Sequence, residues 1–275
     1  MLGILALLAA LGGATLGGGA WYYHQQQEAV RREQARIAAE QRAREEAQRK
    51  AEEEAARIAA EEQGRSRAQK VQLWEGGPYW ADRNVGAERP EDYGYYFWWG
   101  DTVGYKRVGD AWVASDGSSQ NFSFNGVTTP IFRKDDATLK REGWITDDGV
   151  LAPEHDAAQR HWGGQWRMPT WLEFDALRNN CDWTWTTTNG VNGYVIRGRG
   201  GYASASIFLP TAGYGDGTSL GSAGSGGRYW SSVPLSLINY AWGLYFYSGY
   251  FGSYYDRRYY RYYGHSVRPV QGFAK

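Results

Sequence analysis

The chain has 275 residues, with 30 lysines and arginines, 30 aspartates and glutamates, and a single cysteine. Balanced charge argues against a protein that holds nucleic acid mainly by neutralising phosphates, so we expect no nucleic-acid partner. One cysteine excludes a disulfide framework and a zinc site built from cysteines. The 14 tryptophans and 37 glycines, most of them after residue 70, indicate a loop-rich globular domain with many aromatic anchors.

Residues 2–23 carry no charged side chain and form an apolar stretch long enough to span a bilayer as a helix. Trp21, Tyr22 and Tyr23 at its end are typical of the membrane interface. A cleaved signal peptide is the alternative, because small residues precede Trp21, although a basic start is missing. We predict a retained transmembrane or signal-anchor helix over residues 1–23, which makes the membrane a partner of the chain.

The side of the membrane on which the rest of the chain lies stays open. Arg31, Arg32 and Arg36 follow the apolar stretch and no lysine or arginine precedes it, which favours the cytoplasm by the positive-inside rule. An uncleaved signal anchor places the same residues outside. Because the C-terminal region has the composition of a binding surface, we expect a membrane-anchored protein of the cell envelope with an extracytoplasmic head.

Residues 24–70 are rich in alanine, glutamate, arginine and glutamine, and opposite charges recur four residues apart. Pairs such as Glu28 with Arg32 and Glu46 with Lys50 stabilise an isolated helix. The segment is therefore predicted to be one continuous charged helix that acts as a stalk. Its apolar heptad is interrupted and lacks a second stripe, so a solvated helix is favoured over a strong coiled coil, with weak self-association left open.

Residues 71–275, which we call the head, alternate short aromatic runs with glycine, asparagine and aspartate turns. Segments 151–160 and 170–180 are predicted to be helices, and the second opens with a capping box of Thr170 and Glu173. Its buried face is assigned to Leu172, Phe174 and Leu177 or Ala176. Strands are predicted at 194–197, 206–209, 228–232, 241–247 and 264–269. Two short helices with small antiparallel sheets and long ordered loops make an α+β fold.

Ten of the 21 tyrosines lie between residues 240 and 263, mixed with glycine, serine, aspartate and arginine. Binding loops favour this mixture, because tyrosine offers a large amphipathic contact area with few rotors to freeze. The alternative is a purely structural surface, since tyrosine favours strands and cross-strand aromatic pairs stabilise sheets. A period of two assigns the inward face to Trp242, Leu244 and Phe246 and the outward face to Gly243, Tyr245 and Tyr247.

Six motifs of the head carry a resemblance to a known family. They are WADRNVGAERPEDYGYYFWWGDT at 80–102, HWGGQWRMPTWLEFDALRNNCDW at 161–183, NGVNGYVI at 189–196, IFLPTAGY at 207–214, RYWSS at 228–232 and GHSVRPV at 264–270. In this order they resemble the Fibrobacter succinogenes major paralogous domain. That group is similar to the C-type-lectin-like fold shared by formylglycine-generating enzymes and the variable proteins of diversity-generating retroelements. The resemblance covers nearly all of residues 71–275 and is more specific for the fold than for the function.

In the retroelement variable proteins, the resemblance implies a ligand site between RYWSS and GHSVRPV that is rewritten at template adenines. Asparagine codons rewritten in this way yield Tyr, Asp, Ser, Gly, Arg, Leu or Ile, but not Lys, Glu, Gln, Met or Trp. Between residues 235 and 263 the excluded types are absent except for Trp242, which is assigned to the inward face. We therefore predict a variable face at about 235–263 that binds a macromolecular ligand, a protein or glycan on a cell or phage surface.

The predicted ligand-binding residues are Tyr240, Gly243, Tyr245, Tyr247, Tyr250, Ser253, Tyr254, Tyr255, Asp256, Tyr259, Tyr260 and Tyr262. The charged residues within the same stretch either set specificity or keep a sticky surface solvated. These are Asp256, Arg257, Arg258 and Arg261.

Two other function classes stay open. Formylglycine-generating enzymes use a pair of cysteines, and the chain has only Cys181, so an oxidase is disfavoured and no catalytic residue is assigned. A fixed-specificity lectin-like or structural surface protein is the second class, although the calcium-binding Glu-Pro-Asn and Trp-Asn-Asp triplets do not occur. His155 and His161 lie too far apart for a helical zinc pair. We expect neither a metal nor a cofactor.

Other residues are predicted to be structural. Arg167 and Arg268 are expected to tie loops through carboxylates such as Glu173 or Asp175, and His265 is expected to be packed and hydrogen-bonded. The tryptophans expected to fill the core and pin loops are Trp162, Trp166, Trp171, Trp183, Trp185 and Trp230.

Overall fold

The computed structural model describes residues 18–127, 129–251 and 258–272. The chain divides into two compact units, Met1–Ile58 and Ala59–Lys275. Most of the predicted membrane anchor, residues 1–17, lies outside the described residues. In the part of the chain that is described, no helix combines the length and the apolar character that crossing a membrane requires.

The charged segment forms a single helix, α1 (Gly18–Arg67). It begins before the predicted start at residue 24 and carries the expected ion pairs. Arg32 lies 3.2 Å from Glu28, and Lys50 lies 2.8 Å from Glu46. Such exposed pairs contribute a few tenths of a kcal/mol each, so the helix depends on many of them together.

Three further helices lie in the head: α2 (Asp136–Arg141), α3 (Ala157–Trp162) and α4 (Trp171–Asn180). The capping box predicted for α4 is confirmed, since Thr170 and Glu173 exchange both hydrogen bonds. The predicted buried face is wrong in part, because Leu172 is exposed and Glu173 is buried. The burial of Glu173 follows from its ion pair with Arg167, 2.5 Å away, which the sequence analysis predicted.

The predicted helix at 151–160 is instead broken in two. A 3-10 turn, Pro153–His155, is followed by Asp156, whose extended backbone starts α3 anew. The Asp156 carboxylate accepts hydrogen bonds from the backbone N–H groups of Gln159 and Met168. It therefore caps α3 and fastens the loop before α4 to it.

Small antiparallel sheets make up the rest of the head, which establishes the predicted α+β class. One sheet joins β1 (Lys70–Gln72), β2 (Tyr79–Ala81) and β14 (Val270–Gln271). Two hairpins are β3 (Tyr105–Val108) with β4 (Ala111–Ala114) and β8 (Tyr214–Asp216) with β9 (Ser219–Gly221). A second three-stranded sheet has the order β5 (Cys181–Thr188), β6 (Val191–Gly198), β7 (Ser206–Pro210).

The remaining sheet carries the tyrosine-rich stretch. It has the order β10 (Gly226–Pro234), β11 (Tyr240–Tyr247), β12 (Tyr250–Phe251), with β13 (Arg258–Tyr260) pairing the start of β11. Strands β10 and β11 separate two clusters of buried side chains. Trp230 and Ala241 belong to one cluster, and Leu244 and Phe246 belong to the other.

The predicted strand at 264–269 is a series of isolated bridges instead. His265 exchanges backbone hydrogen bonds with Phe97, Ser266 donates to Arg228, and Gly264 exchanges bonds with Gly215. Because successive residues bond to different segments, no continuous ladder forms. The segment nevertheless ties three parts of the head together.

The predicted structural tryptophans are interior or partly interior. Trp162, Trp166 and Trp230 are buried. Trp171, Trp183 and Trp185 are half-buried. Their rings pack on other aromatic rings, for example Trp162 on Trp166 at 5.2 Å. Aromatic packing thus supplies much of the core, as the composition indicates.

The alternation along β11 generates a stability prediction. Replacing the fully buried Phe246 with alanine is expected to lower the free energy of unfolding by about 3 to 5 kcal/mol. Tyr247, the next residue, is 43% exposed, and its alanine variant is expected to lose less than about 1 kcal/mol. Urea denaturation of both variants measures the two values. Equal losses would refute the assigned faces of β11.

Candidate ligand-binding surface

The pairing of β10 with β11 determines which residues lie next to each other on the tyrosine-rich surface. Arg228 lies opposite Tyr245, and Gly226 lies opposite Tyr247. The side chains of Leu244 and Phe246 point into the core, so the alternate residues Tyr245 and Tyr247 point the other way. This part of the predicted strand phase is confirmed.

Three rings cluster at the β11–β12 hairpin, and we call them the hairpin tyrosines: Tyr245, Tyr247 and Tyr250. The rings of Tyr247 and Tyr250 stack with centroids 5.0 Å apart, and Tyr245 lies 5.6 Å from Tyr247. Partial burial raises the pKa of the Tyr245 hydroxyl. The Tyr245 hydroxyl therefore stays protonated at neutral pH, and the cluster presents apolar faces with polar tips.

A second cluster lies where β13 meets β11. It consists of Tyr240, Tyr260 and Tyr262. Tyr240 and Tyr260 are directly opposite each other, with ring centroids 4.5 Å apart. Tyr262 stacks on Tyr260 at 5.1 Å and packs edge-on against Phe132 at 5.2 Å. A hydrogen bond with Tyr260, followed by burial, raises the pKa of Tyr240.

The period of two places Tyr240 and Tyr245 on opposite faces of β11, so the two clusters do not share one strand face. Tyr263 and Tyr214 join them. Tyr263 lies 5.7 Å from Tyr260 and 5.5 Å from Tyr214. Tyr214 in turn covers the Arg228 guanidinium, which faces Tyr245. A continuous aromatic strip results, running from Tyr240 to Tyr250.

Sequence reasoning missed the residues that make the strip continuous. Tyr214 ends the motif IFLPTAGY, and Tyr263 is the last residue of the predicted variable face, yet neither is among the predicted ligand-binding residues. Phe132 lies far away in the chain and has no local signal at all. The alternation of inward and outward residues along one strand does not predict which distant segments contact it.

Two predicted surface residues are buried instead. Tyr259 is 7% exposed and belongs to the core cluster of Trp230. Gly243 lies beneath it, because a Cβ at this position would come within 2.7 Å of the Tyr229 carbonyl oxygen and 3.1 Å of the Tyr259 ring. The Tyr259 side chain, from the adjacent strand β13, covers the face of β11 that carries Gly243. Glycine at 243 leaves the space that the Tyr259 ring fills.

Four predicted residues, Ser253, Tyr254, Tyr255 and Asp256, lie outside the described residues, as does Arg257. Arg258 is exposed on β13.

Trp242 also differs from expectation. It shares a strand face with Leu244 but is only half-buried, and its ring stacks on Trp171 at 5.5 Å. It lines an open cavity of about 550 Å³ together with Asp136 and Lys140 of α2. Trp242 is therefore a packing residue at the edge of the core.

Two arginines assigned by sequence turn out to be buried supports. Arg261 is fully buried and donates hydrogen bonds to the carbonyl oxygens of Tyr240 and Lys134. It holds β13 against β11, so the expectation that it sets specificity or solvates the surface is wrong. Arg268 is fully buried as well, but it ties loops through carbonyl and amide oxygens where carboxylates were expected.

His265 is packed, as predicted, with its ring stacked on Trp230 at 3.9 Å. The predicted hydrogen bond is not found, since neither ring nitrogen has a partner among residues 18–127, 129–251 and 258–272. Burial, together with the nearby positive charge of Arg228, lowers the pKa of His265 well below its ordinary value. The imidazole is neutral beneath the strip at neutral pH.

In the described part of the head, no group of three or more histidine, cysteine or acidic side chains is arranged to hold a metal ion. Burial raises the pKa of the Cys181 thiol to about 11, so it is protonated at neutral pH and a weak nucleophile.

The sequence model of one family, described as a domain of unknown function (DUF8237), matches residues 182–270. No curated protein and no solved structure matches the chain. The matched region begins in β5 and ends at the first residue of β14. It therefore contains both tyrosine clusters and the strands that support them, in less than half of the chain.

The burial of His265 predicts a pH dependence. Its pKa is lower in the folded state than in the unfolded state, so the stability it contributes is complete above pH 6.5 and is lost as the pH falls. Between pH 7.5 and pH 5, wild type is expected to lose up to about 2 kcal/mol relative to the His265→Gln variant. Urea denaturation of both proteins at the two pH values measures this difference. A constant difference would contradict the assignment.

Proposed function

We propose that the chain is a ligand-binding protein whose C-type-lectin-like head displays a tyrosine-rich surface diversified by a retroelement. In this proposal an N-terminal anchor and the helical stalk hold the head at the cell envelope, outside the membrane. The ligand is a macromolecule on a cell or phage surface. The observation that carries the proposal is the continuous aromatic strip that runs from Tyr240 to Tyr250.

The strip has the composition and geometry of a binding surface. Tyr247 is 43% exposed, and its neighbours in the strip are half-buried, so rings are supported from below and open above. Side chains that are already held by their neighbours lose little freedom when a ligand binds. Contiguous aromatic surfaces of this kind usually mark interaction sites.

The separation of core from surface supports diversification. Leu244 and Phe246 belong to the core cluster on one side of β11, while the exposed side chain of Tyr247 contacts the rings of Tyr245 and Tyr250. Tyr245 also packs against the core cluster of Trp230, so substitution at Tyr247 disturbs the core least. A scaffold of this kind tolerates a rewritten surface, as the adenine-compatible composition of residues 235–263 requires.

The α+β architecture supports the lectin-like assignment. The motif that contains Thr170 opens α4, RYWSS lies within β10, and GHSVRPV threads through the core beside it. The first of the two motifs that should frame a variable site, RYWSS, contributes Arg228 to the strip, and the second adds the buried His265 next to it, which is compatible with a variable site between them.

A second candidate is a fixed aromatic surface that serves the stability of the sheet. The direct cross-strand stacking of Tyr240 on Tyr260 favours it, because such pairs stabilise antiparallel strands. The two candidates differ in what removal of a ring changes: ligand affinity in the first and folding stability in the second.

A matched pair of tyrosines tests the proposal. Tyr247 in the strip and Tyr79 on β2 are both 43% exposed. A ligand is first obtained by screening the full chain against purified cell-surface proteins and glycans. Tyr247→Ala is then expected to weaken its binding by about 1 to 3 kcal/mol, and Tyr79→Ala to leave it unchanged.

Melting temperatures of the two variants provide the control. The proposal expects both to melt close to wild type. Unchanged affinity in alanine variants of all three hairpin tyrosines, with lower melting temperatures, would refute the binding surface and favour the structural candidate.

A further inference from the structure

The guanidinium group of Arg228 lies at the middle of the aromatic strip. Its Cζ atom is 3.5 Å from the ring centroid of Tyr214, 5.1 Å from that of Tyr259 and 5.3 Å from that of Tyr245. The side chain is half-buried, between the hairpin tyrosines and Tyr263. Three rings thus enclose one positive charge in a cage that is partly open to solvent.

The aromatic rings contact the charge of the guanidinium but accept no hydrogen bond from its N–H groups in the guanidinium plane. Cation–π contacts engage the charge through the ring faces, whereas its N–H groups donate hydrogen bonds in its own plane. Within the described ranges, no oxygen accepts a hydrogen bond from Arg228 and no carboxylate pairs with it. Its Nε atom is buried without a partner there.

The two fully buried arginines of the head behave differently. Arg261 donates to two carbonyl oxygens and lies 3.6 Å from Asp136. Arg268 donates to three acceptors, including the Asn84 side chain. The fold therefore supplies hydrogen-bond acceptors to both of these arginines, although Nη2 of Arg261 has none among the described residues. Arg228 is set apart because three rings pack on its guanidinium and none of its N–H groups has an acceptor there.

We propose that Arg228 binds the carboxylate of an acidic side chain in a protein ligand. This inference rests on the proposed function and names the chemistry of its ligand. A planar guanidinium matches a carboxylate through two parallel hydrogen bonds. One cation among phenol rings balances a single negative charge, which suits a carboxylate better than a phosphate dianion. Tyrosine with arginine is also the combination that dominates binding energy in protein interfaces.

Arg228 lies outside the segment that is predicted to be diversified. It belongs to RYWSS on β10, outside the predicted variable face of residues 235–263. Rewriting the tyrosines therefore leaves the guanidinium in place. Versions of the surface that bind different ligands would share one requirement, an acidic residue that reaches Arg228.

The test uses blocked tripeptides on the full chain. Acetyl-Gly-Glu-Gly-amide and acetyl-Gly-Gln-Gly-amide differ in one carboxylate, and nuclear magnetic resonance of the ¹⁵N-labelled arginine Nε groups reports on Arg228. The glutamate peptide is expected to shift the Arg228 resonance saturably, with an affinity at least tenfold higher than that of the glutamine peptide. Equal effects of the two peptides would overturn the proposal.

Variants establish which arginine responds. Backbone amide shifts of the strip are expected to lose their response to the glutamate peptide in Arg228→Gln and to weaken several-fold in Arg228→Lys, which lacks the planar fork. Arg258→Gln, at an exposed position of β13, is the matched control and is expected to respond like wild type. Because Arg228 makes no side-chain hydrogen bond in the described part of the chain, its variants are expected to melt near wild type. A response that persists in Arg228→Gln would contradict the assignment.

Two further outcomes would also overturn it. N-acetylneuraminic acid binding more tightly than the glutamate peptide would assign the cage to an acidic sugar. A response that appears only after Asp256→Asn would give Arg228 an internal partner. The tyrosine variants test the proposed function separately. If a ligand fails to bind Tyr247→Ala but binds wild type equally well with and without its carboxylate, only the role of Arg228 is refuted.

Discussion

The head depends on one buried segment near its C-terminal end, residues 264–270. Its backbone bonds to segments that are far apart in the chain, including Phe97 and Arg228. Arg268 adds hydrogen bonds to Asn84 and to the carbonyl oxygens of Ala81 and Phe208. A charge buried without acceptors is costly, so these contacts fix β2, β7 and the segment at Asn84 around one guanidinium. This shared anchor holds together segments from different sheets.

The same segment explains why a rigid core lies beneath an aromatic surface. His265 stacks on Trp230 of β10, and β10 pairs with β11, whose outward residues include Tyr245 and Tyr247. Leu244 and Phe246 are fixed by packing on one side of β11. On the other side, Ala241 and Tyr259 belong to a second core cluster, against which Tyr245 packs, and Tyr247 extends the surface beyond that cluster. The arrangement permits change in the surface with little change in the fold.

Much of the local structure follows from the sequence. The capping pair Thr170 and Glu173 predicts the start of α4. The period of two along β11 predicts that Leu244 and Phe246 lie in the core. The charged helix follows from its paired charges. These features are local, because each depends on residues a few positions apart.

Features that depend on distant contacts could not be read in this way. Tyr259 resembles Tyr260 in sequence, yet only Tyr259 is covered. Arg261 and Arg228 are both arginines near tyrosines, and only the fold decides that one is a support and the other is open to a ligand.

The central claim is that residues of the strip are diversified to bind ligands. Sequencing the DNA beside the gene tests it most directly, by searching for a near-copy of the codons for residues 228–270. The account predicts a downstream repeat that differs almost only at adenines, next to a reverse-transcriptase gene, with the differing codons at outward positions such as Tyr245 and Tyr247. The absence of such a repeat, or a repeat that differs at the codons for Leu244 and Phe246, would contradict it.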